Sequence, residues 1–473
     1  MNEIRQFIEA NRQKITDDLF ALMRIDSSYS EETKSASEPF GKGAAEAFRV
    51  CGKMISEYGF PVKNYDNYVL TADLGEGERE LDILAHLDVV PGGEGWTVTD
   101  PFKPYLAEDG TVYGRGSADD KGPAVAALWA MRAIKELGIP LRKNVRLVLG
   151  GCEELGLGDL DYYFAREPHA RFSFSPDADY PLINAERGIS GTDVKKRFDP
   201  EIAACSPIIS IHSGLRRNMV PFSAVAVIDA SKGDISVGEI AKIASGYARS
   251  HGVGINFTQD GSIITFDVRG VGGHASIPET SRNSLTCLME IISALPFGDS
   301  VTGTVRGFSK LYPFGVFHGE CAGIDMEDEE SGRLTSSFNV LHYENGLLTA
   351  QIDSRVPAMA NEDNFMRPLK EALVRAGADN VKIALNPCHI VPKDSEFVKK
   401  LLGSYRKVTG DETGGPIAIG GGTYVHNIEN GVAFGCAMPG VDNRMHGPDE
   451  FMKLDVLFDS IEIFADAILS ICG

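Results

Sequence analysis

The sequence predicts an α/β fold in which a mainly parallel sheet is interrupted by an inserted α+β region. Apolar strands at 81–87, 145–149 and 172–174 alternate with an Ala-rich helix at 121–137, as expected for βαβ units. From about Gly188 the predicted strands follow one another at shorter intervals. Acidic residues and a histidine also recur at the ends of the first strands, and in such sheets ligands bind at the carboxyl ends of the strands.

The elements before Gly188 form one unit. Apolar residues recur at helical intervals over 4–23, and a second helix is predicted over 43–58. Residues 68–73 form a predicted strand, and 81–87 is almost continuously apolar, as in strands that are buried on both faces. The helix at 121–137 ends before Gly138 and Pro140, which are typical of a helix terminus.

The inserted region combines predicted strands with predicted helices. The strands are 190–196, 207–211, 224–228 and 262–269, and the helices are 237–249 and 284–292. The parallel unit resumes with a helix at 395–409, a strand at 433–436 and an amphipathic helix at 455–471. We therefore predict three segments: 1–187 as the first part of an α/β domain, 188–385 as an inserted α+β domain, and 386–473 as the second part of the α/β domain.

Composition and charge exclude several classes of function. The 473-residue chain is long enough for two or three domains, and its net charge of −21 argues against a nucleic-acid or anionic-membrane partner. It contains neither the roughly 20 apolar residues of a membrane span nor the apolar stretch of a signal peptide at its start. The 8 cysteines are scattered, which favours free thiols in a reducing cytoplasm.

Three sequence segments carry the polar residues at the strand ends. LDILAHLDVVP contains His86 and Asp88, GRGSADDKGP contains Asp119 and Asp120, and GCEELG contains the adjacent glutamates 153 and 154. An imidazole and several carboxylates that converge would suit one or two divalent metals. Taken one segment at a time, each has an alternative interpretation without a metal. His86 is compatible with a hydrogen-bonded histidine at a strand end, Asp119 or Asp120 with a helix N-cap, and the two glutamates with a solvated acidic turn. The glycine-rich segment lacks the order of a phosphate-binding loop, and paired aspartates would repel phosphate.

Taken together and in order, these motifs resemble the M20 family of di-zinc metallopeptidases. The resemblance extends to SPDADYP, GGHASIPE and RMHGPDE, covers nearly the whole chain, and is nearest to the monomeric PepV-type dipeptidases. It implies a zinc-peptidase catalytic domain with a lid domain inserted into it. It also implies two Zn²⁺ ions, although sites built from histidine and carboxylate also accept Mn²⁺ or Co²⁺.

The resemblance implies a set of five metal ligands. His86 and Asp177 correspond to ligands of one zinc ion, Glu154 and His446 to ligands of the other, and Asp119 to the carboxylate that bridges the two. For Asp177, the nearby Asp179 is a possible substitute, and Glu450 is a weaker accessory candidate.

The resemblance also implies catalytic roles. Glu153 corresponds to the general base that removes a proton from the attacking water and delivers it to the leaving amine. Asp88 corresponds to the partner of the His86 imidazole. His274 corresponds to the donor that stabilises the tetrahedral oxyanion; without the resemblance it would be read as a loop histidine.

Further residues correspond to substrate contacts. Arg355 in QIDSRVP matches a position that is expected to bind the carboxylate of the substrate, and Asn218 matches another contact from the lid. Gly421, Gly422 and Thr423, in the GGGT segment, correspond to a loop that lines the substrate site, although a tight turn would explain their glycines equally well.

The function implied is that of a cytoplasmic zinc dipeptidase acting on short peptides with a free C-terminus. An amidohydrolase of N-acetyl or N-succinyl amino acids is the alternative within the same family. A metal-binding or peptide-binding protein without turnover is the alternative from another class. Because the inserted region spans roughly 200 residues, a length that resembles the monomeric members of the family, we expect a monomer whose own lid supplies His274.

Overall fold

A computed structural model describes residues 2–156 and 158–473, and these divide into two compact units. The first unit comprises the chain up to Ala185 together with Val391–Ile417 and Gly422–Gly473. The second unit comprises Glu186–Ile390 and Ala418–Gly421. The predicted third segment, 386–473, includes Ala418–Gly421. In the structure Ala418–Gly421 joins the second unit, where the Ile419 carbonyl accepts a 2.9 Å hydrogen bond from the Arg187 backbone.

The first unit is built on a sheet whose centre is parallel. In spatial order its strands are Val62–Tyr65, Val69–Leu74, Asn144–Gly150, Arg79–His86, Phe172–Ser175, Gly431–Ala433 and Ile183–Glu186. The four strands from Asn144–Gly150 to Gly431–Ala433 run parallel, whereas the outer pairings are antiparallel. The carboxyl ends of the parallel strands therefore meet at one edge, as the sequence predicts.

Helices cover this sheet and enclose the core of the first unit. They are Asn2–Met23, Lys42–Glu57, Lys121–Glu136, Asp159–Phe164, Glu396–Thr409 and Leu454–Cys472. The helix Lys121–Glu136 is buried along most of its length, and its Trp129 is completely buried. Its many alanines permit this burial because small side chains allow close approach to neighbouring elements. Short strands complete the unit: Tyr105–Leu106, Thr111–Tyr113, Ala178–Asp179, Cys436–Ala437 and Phe451–Lys453. The strand Ile417–Ile419 contains the point at which the chain passes from this unit to the second.

The second unit contains an antiparallel sheet of eight strands. In spatial order they are Gly254–Asp260, Ile263–Arg269, Ser223–Asp229, Ile208–Ser213, Thr335–Glu344, Leu347–Val356, Gly188–Arg197 and Asn380–Asn386. Its helices are Pro200–Cys205, Val237–His251, Ser284–Ala294, Ser300–Leu311 and Arg367–Arg375. Short strands lie at Met219–Val220, Gly273–His274, Glu327–Asp328, Gly332–Arg333 and His389–Ile390. Its core is separate from that of the first unit.

One predicted strand has different bounds in the structure. The strand predicted at 433–436 is Gly431–Ala433, and Cys436–Ala437 instead pairs with Ala178–Asp179 in a two-stranded ribbon. Gly435, between them, has a φ of +80°, a backbone conformation that interrupts a strand and favours glycine. Among the described residues, no helix is both long and apolar enough to span a membrane.

Candidate active site

His86 lies at the carboxyl end of a central parallel strand of the first unit. It is completely buried, and its backbone N–H donates to Asp120 Oδ2 over 2.9 Å. On the imidazole, Nδ1 lies 3.0 Å from the Asp88 carbonyl oxygen. A hydrogen bond to that carbonyl leaves Nε2 as the nitrogen with a free lone pair, as a metal ligand requires.

Asp119 lies between two histidines. Its Oδ1 is 3.1 Å from His86 Nε2, and its Oδ2 is 2.9 Å from His446 Nε2. A second carboxylate oxygen, Asp177 Oδ2, is 3.6 Å from the same Nε2 of His86. Likewise, Glu154 Oε2 is 3.1 Å from the same Nε2 of His446. The five predicted ligands thus form two groups that share one carboxylate.

The donor atoms fit divalent metal ions. His86 Nε2, Asp119 Oδ1 and Glu154 Oε1 are buried and form no hydrogen bond, although buried polar atoms are almost always hydrogen-bonded. One donor atom from each of His86, Asp119 and Glu154 lies within 4.8 Å of the others. Imidazole nitrogen and carboxylate oxygen are ligands that Zn²⁺, Mn²⁺ and Co²⁺ accept.

The same carboxylates control the protonation of the histidines. Burial opposes the charged form of His86, but Asp119, Asp177 and Asp88 raise its pKa well above the ordinary value. Burial also opposes protonation of His446, yet Asp119 and Glu154 raise its pKa to about 11. The carboxylates thus favour a positive charge on both imidazoles, as they would favour a metal cation.

Glu153 lies beside this cluster and is only partly buried. One of its oxygens falls within 4.8 Å of donor atoms of His86 and Asp177. Burial raises the pKa of Glu153 well above its ordinary value, and the charges of Asp177 and Glu154 add to the effect. The position suits either a base beside the metals or an additional ligand, and the two roles are separable by experiment.

Asp88 connects His86 to the loop that contains Glu153 and Glu154. Its Oδ1 accepts the backbone N–H of Glu153 over 3.1 Å, and its Oδ2 accepts that of Glu154 over 3.2 Å. The same Oδ1 is 3.4 Å from His86 Nδ1. The family resemblance implies only the contact of Asp88 with the imidazole. Its second contact depends on the fold, since the two segments are 65 residues apart.

Glu450 holds the loop that presents Asp119, a role that sequence reasoning missed. Its Oε1 accepts the backbone N–H groups of Ala118 and Asp119 over 2.9 and 3.2 Å, and its Oε2 is 2.7 Å from Arg115 Nη1. All of these groups are buried. The one available signal was that Glu450 belongs to the same RMHGPDE motif as His446.

Two further residues that support the site, Asp159 and Tyr424, were not identified from the sequence. Asp159 Oδ2 accepts the backbone N–H groups of Gly151 and Cys152, both at 2.8 Å, and the Tyr424 hydroxyl over 2.5 Å. These bonds fix the loop that begins directly after a central strand and leads into the two glutamates. Gly150 has no room for a side chain, since a Cβ there would lie 1.8 Å from the Tyr424 hydroxyl.

The second unit contains His274 and Asn218 side by side. Met219 pairs with His274 in a short antiparallel ribbon, and the Ala275 N–H donates to the Asn218 carbonyl over 2.9 Å. His274 Nδ1 lies 2.6 Å from the Ser276 hydroxyl. This contact orients the ring. The structure thus brings these two predicted residues together.

The Arg355 side chain is buried, and its guanidinium contacts other residues of the second unit. Its Nε and Nη2 contact the two carboxylate oxygens of Asp353 over 2.7 and 3.2 Å, and its Nη1 donates to the Gly420 carbonyl over 2.9 Å. Gly421 follows directly in the second unit, whereas Gly422 and Thr423 belong to the first unit. The Thr423 carbonyl accepts the His426 N–H over 3.1 Å.

Residues 83–470 match Peptidase family M20/M25/M40. The chain belongs to this family. It is therefore a hydrolase that acts on peptide bonds, and the family implies the use of divalent metal. This M20 peptidase is 33% identical to the Beta-Ala-Xaa dipeptidase of Lactobacillus delbrueckii subsp. lactis over 467 residues, which cover 98% of this chain and 97% of the relative. It is also 33% identical to a putative dipeptidase of Bacillus subtilis (strain 168), with 98% of each chain covered.

Solved structures of lower identity share the fold of this M20 peptidase. Human carnosine dipeptidase 1 aligns with a TM-score of 0.57 and 16% identity, covering 99% of this chain and 98% of the other. The dipeptidase Dug1p of Saccharomyces cerevisiae aligns with a TM-score of 0.59 and 13% identity, with the same coverage. These matches confirm the predicted α/β fold class.

Proposed function

We propose that this M20 peptidase is a metallo-dipeptidase that hydrolyses dipeptides with a free C-terminus at a centre of two divalent ions, with zinc preferred. The observation that carries the proposal is the position of Asp119, whose two carboxylate oxygens face two different histidines at 3.1 and 2.9 Å. A carboxylate shared in this way suits a pair of ions better than one.

Each ion would be held by one histidine and one carboxylate besides Asp119. His86 and Asp177 would hold one ion, and His446 and Glu154 the other. Two bound divalent ions supply Lewis acidity, which lowers the pKa of a water molecule and polarises the scissile carbonyl. The protein has to keep the ligands fixed, and the buried hydrogen bonds of Asp88 and Glu450 serve that purpose.

Glu153 would move the proton. Its carboxylate would accept a proton from the attacking water and donate it to the amine that leaves. A neighbour in sequence, Glu154, would serve as a ligand, so that the two adjacent glutamates would have different tasks. The hydrogen bonds from their backbone N–H groups to Asp88 hold both in place.

Residues of the second unit and of the glycine segment would bind the substrate. We propose His274 as the donor to the oxyanion and Asn218 as a further contact. Arg355 is the candidate for the substrate carboxylate, and the segment that contains Gly421, Gly422 and Thr423 would offer backbone contacts. The contact between His274 and Ser276 supports the first assignment because it fixes the imidazole.

A free C-terminus is proposed from two sources. The two relatives above, each at 33% identity, are named as dipeptidases. The second unit also offers arginine side chains, and a guanidinium binds a carboxylate through two parallel hydrogen bonds.

The test compares two classes of substrate. The zinc-loaded protein is assayed by amine release on free dipeptides, including β-alanyl dipeptides, and on N-acetyl and N-succinyl amino acids. We expect turnover of the dipeptides and little turnover of the acylated amino acids. Hydrolysis of the acylated substrates alone would contradict the dipeptidase proposal and favour an amidohydrolase. The Glu153→Gln variant, purified in the same way, controls for contaminating peptidases.

We also propose that one chain suffices for activity. In a monomer, a mixture of the His274→Ala and Glu153→Gln variants should be as inactive as either alone. Recovery of activity on mixing, together with a dimer in sedimentation analysis, would overturn this proposal.

A further inference from the structure

Gly191 lies within an inner strand of the eight-stranded sheet, a position where glycine weakens a strand. The strand Gly188–Arg197 pairs with a neighbour on each side, and Gly191 is opposite Asp353 and Ala384. A Cβ at Gly191 would lie 1.6 Å from Arg217 Nη1 and 2.6 Å from its Cζ. The Arg217 guanidinium therefore lies directly on the strand, in the space that a side chain at residue 191 would occupy.

Asp193, two residues further along the same strand, fixes the guanidinium in this place. Its Oδ1 is 3.1 Å from Arg217 Nη2 and accepts a second hydrogen bond from Gln351 Nε2 over 2.9 Å. The side chains of Arg217 and Asp193 are 33% and 45% exposed, and exposed ion pairs contribute little to stability. The contact therefore suits the fixing of a position better than the stabilisation of the fold.

The backbone that carries Arg217 is held by a different strand. The Arg217 carbonyl accepts a hydrogen bond from Asn339 Nδ2 over 2.7 Å, and Asn339 is completely buried. At Gly214, where φ is +79°, a Cβ would lie 2.0 Å from the Asn339 carbonyl oxygen, so the chain passes close to the same strand. The segment 214–219 thus has a backbone contact at Asn339 and a side-chain contact at Asp193.

The residues that follow include two of the groups that are proposed to contact the substrate. Asn218 is next to Arg217, and its carbonyl accepts the Ala275 N–H over 2.9 Å. Met219 pairs with His274 in the short antiparallel ribbon. A displacement of the segment at Arg217 would therefore reach Asn218 directly and His274 through the ribbon.

We propose that Arg217 is a positioning residue for Asn218 and His274, and that glycine is needed at residue 191 to admit its guanidinium. The inference rests on the function proposed above, in which these two residues contact the substrate. The guanidinium holds the segment 214–219 against the sheet, so that His274 is in place when charge develops on the scissile carbonyl oxygen. A donor of this kind acts mainly on the transition state, and small displacements of it are costly.

The experiment removes the guanidinium from its place in two independent ways. Arg217→Gln deletes the charge, whereas Gly191→Ala keeps it and fills the space beneath it. The zinc-loaded variants are assayed on L-alanyl-L-alanine. In both we expect kcat to fall about 10-fold with little change in KM. Because a flexible side chain can move away from an added methyl group, the thermal unfolding midpoint and the zinc content should match those of the wild type.

The double variant distinguishes one shared cause from two separate ones. If both substitutions act by releasing the same guanidinium, Gly191→Ala should lower kcat little further once Arg217→Gln is present. Independent effects would multiply to a loss of about 100-fold. Arg217→Lys keeps a charge that can pair with Asp193 but loses the planar fork, and should recover part of kcat.

Two controls match these substitutions. Gly254→Ala also adds a methyl group to a strand of the same sheet, but its Cβ would lie 3.5 Å from Arg269 Cβ, an ordinary van der Waals contact. Arg375→Gln removes an exposed arginine that pairs with Glu371 on its own helix. Both variants should retain the kcat and KM of the wild type.

Three results would each overturn the inference: wild-type kcat in Arg217→Gln, losses that multiply in the double variant, or a loss of kcat that follows a lowered unfolding midpoint. Failure of the proposed function would appear differently, as full turnover in both His274→Ala and Asn218→Ala. If the wild type cleaves N-acyl amino acids instead of dipeptides, the same variants are compared on N-acetyl-L-alanine, where the inference predicts the same losses.

Discussion

At the scale of single residues, Asp88 is the side chain on which most of the candidate centre depends. It lies 3.4 Å from the His86 imidazole and accepts the backbone N–H groups of both glutamates. One carboxylate therefore orients a ligand of one proposed ion, a ligand of the other, and the proposed base. Partners of this kind orient the metal ligands, and their loss typically lowers metal affinity.

Replacement of Asp88 by asparagine should weaken metal binding about 10–100-fold. An amide has one acceptor oxygen, and its NH₂ group would face one of the two backbone N–H groups instead of accepting from it. Zinc titration against a competing chelator measures the effect. Asp100→Asn is the matched control, since Asp100 is exposed and pairs with Lys103 at the surface. Equal zinc affinity in Asp88→Asn and the wild type would contradict the role.

At the scale of elements, two sets of buried hydrogen bonds hold the loop that precedes the helix Lys121–Glu136. Glu450, near the end of the chain, accepts the N–H groups of Ala118 and Asp119. The buried Lys121 ammonium donates to the Leu22 and Ile25 carbonyls over 3.1 and 2.8 Å. Rigid support on two sides explains how a loop residue such as Asp119 can present both oxygens to different histidines.

Replacement of Glu450 by glutamine should destabilise the protein by about 3–5 kcal/mol, because the Arg115 charge would remain buried without a partner. The glutamine oxygen can still accept from the loop, so zinc affinity should change less than in Asp88→Asn. Urea denaturation measures the first effect, and zinc titration the second.

A double variant provides the control for this ion pair. Arg115→Met combined with Glu450→Gln removes the buried charge and should recover part of the lost stability. If the double variant is less stable than Glu450→Gln alone, the loss does not arise from the unpaired arginine.

At the scale of the whole molecule, the carboxylates of the candidate centre favour protonation of its histidines. Asp119 and Glu154 raise the pKa of His446 to about 11 against burial, above the ordinary value near 6.5. A histidine with a raised pKa stabilises the folded state fully below pH 6.5, and this contribution is lost as the pH rises towards 11. A bound metal displaces the proton, so metal binding should tighten with rising pH.

We therefore expect zinc to raise the thermal unfolding midpoint more at about pH 8 than at about pH 6. Differential scanning calorimetry, with and without a fixed zinc concentration, measures both shifts. In His446→Asn the difference between the two pH values should shrink. A larger zinc effect at the lower pH would contradict this account of proton displacement.

The sequence predicts the fold class and the set of polar residues at the strand ends, because parallel strands bring their carboxyl ends to one edge. His86, Glu154 and Asp177 lie at or just after the ends of neighbouring parallel strands and come together for this reason, whereas Asp119 lies in the loop before the helix Lys121–Glu136. The supports of the site were not predicted. Glu450 contacts a backbone N–H 332 residues away, and Tyr424 contacts Asp159 across 265 residues.

Local sequence patterns also did not predict two long strands of the second unit. Thr335–Glu344 and Leu347–Val356 pair with each other in the eight-stranded sheet but were not predicted. Their buried polar residues, among them Asn339 and Asp353, obscure the alternation by which a strand is recognised. Asp353 is buried there because it pairs with Arg355.

The measurement that most directly tests the two-metal centre with Glu153 as its base is metal content combined with turnover in Glu153→Gln. The position of Glu153 beside His86 and Asp177 also permits a ligand role, and the two roles predict different results. If Glu153 is the base, the variant should retain two zinc ions per chain and lose about 10²–10⁴-fold in kcat. Loss of one zinc ion from the variant, or full turnover with both ions bound, would contradict the proposed mechanism.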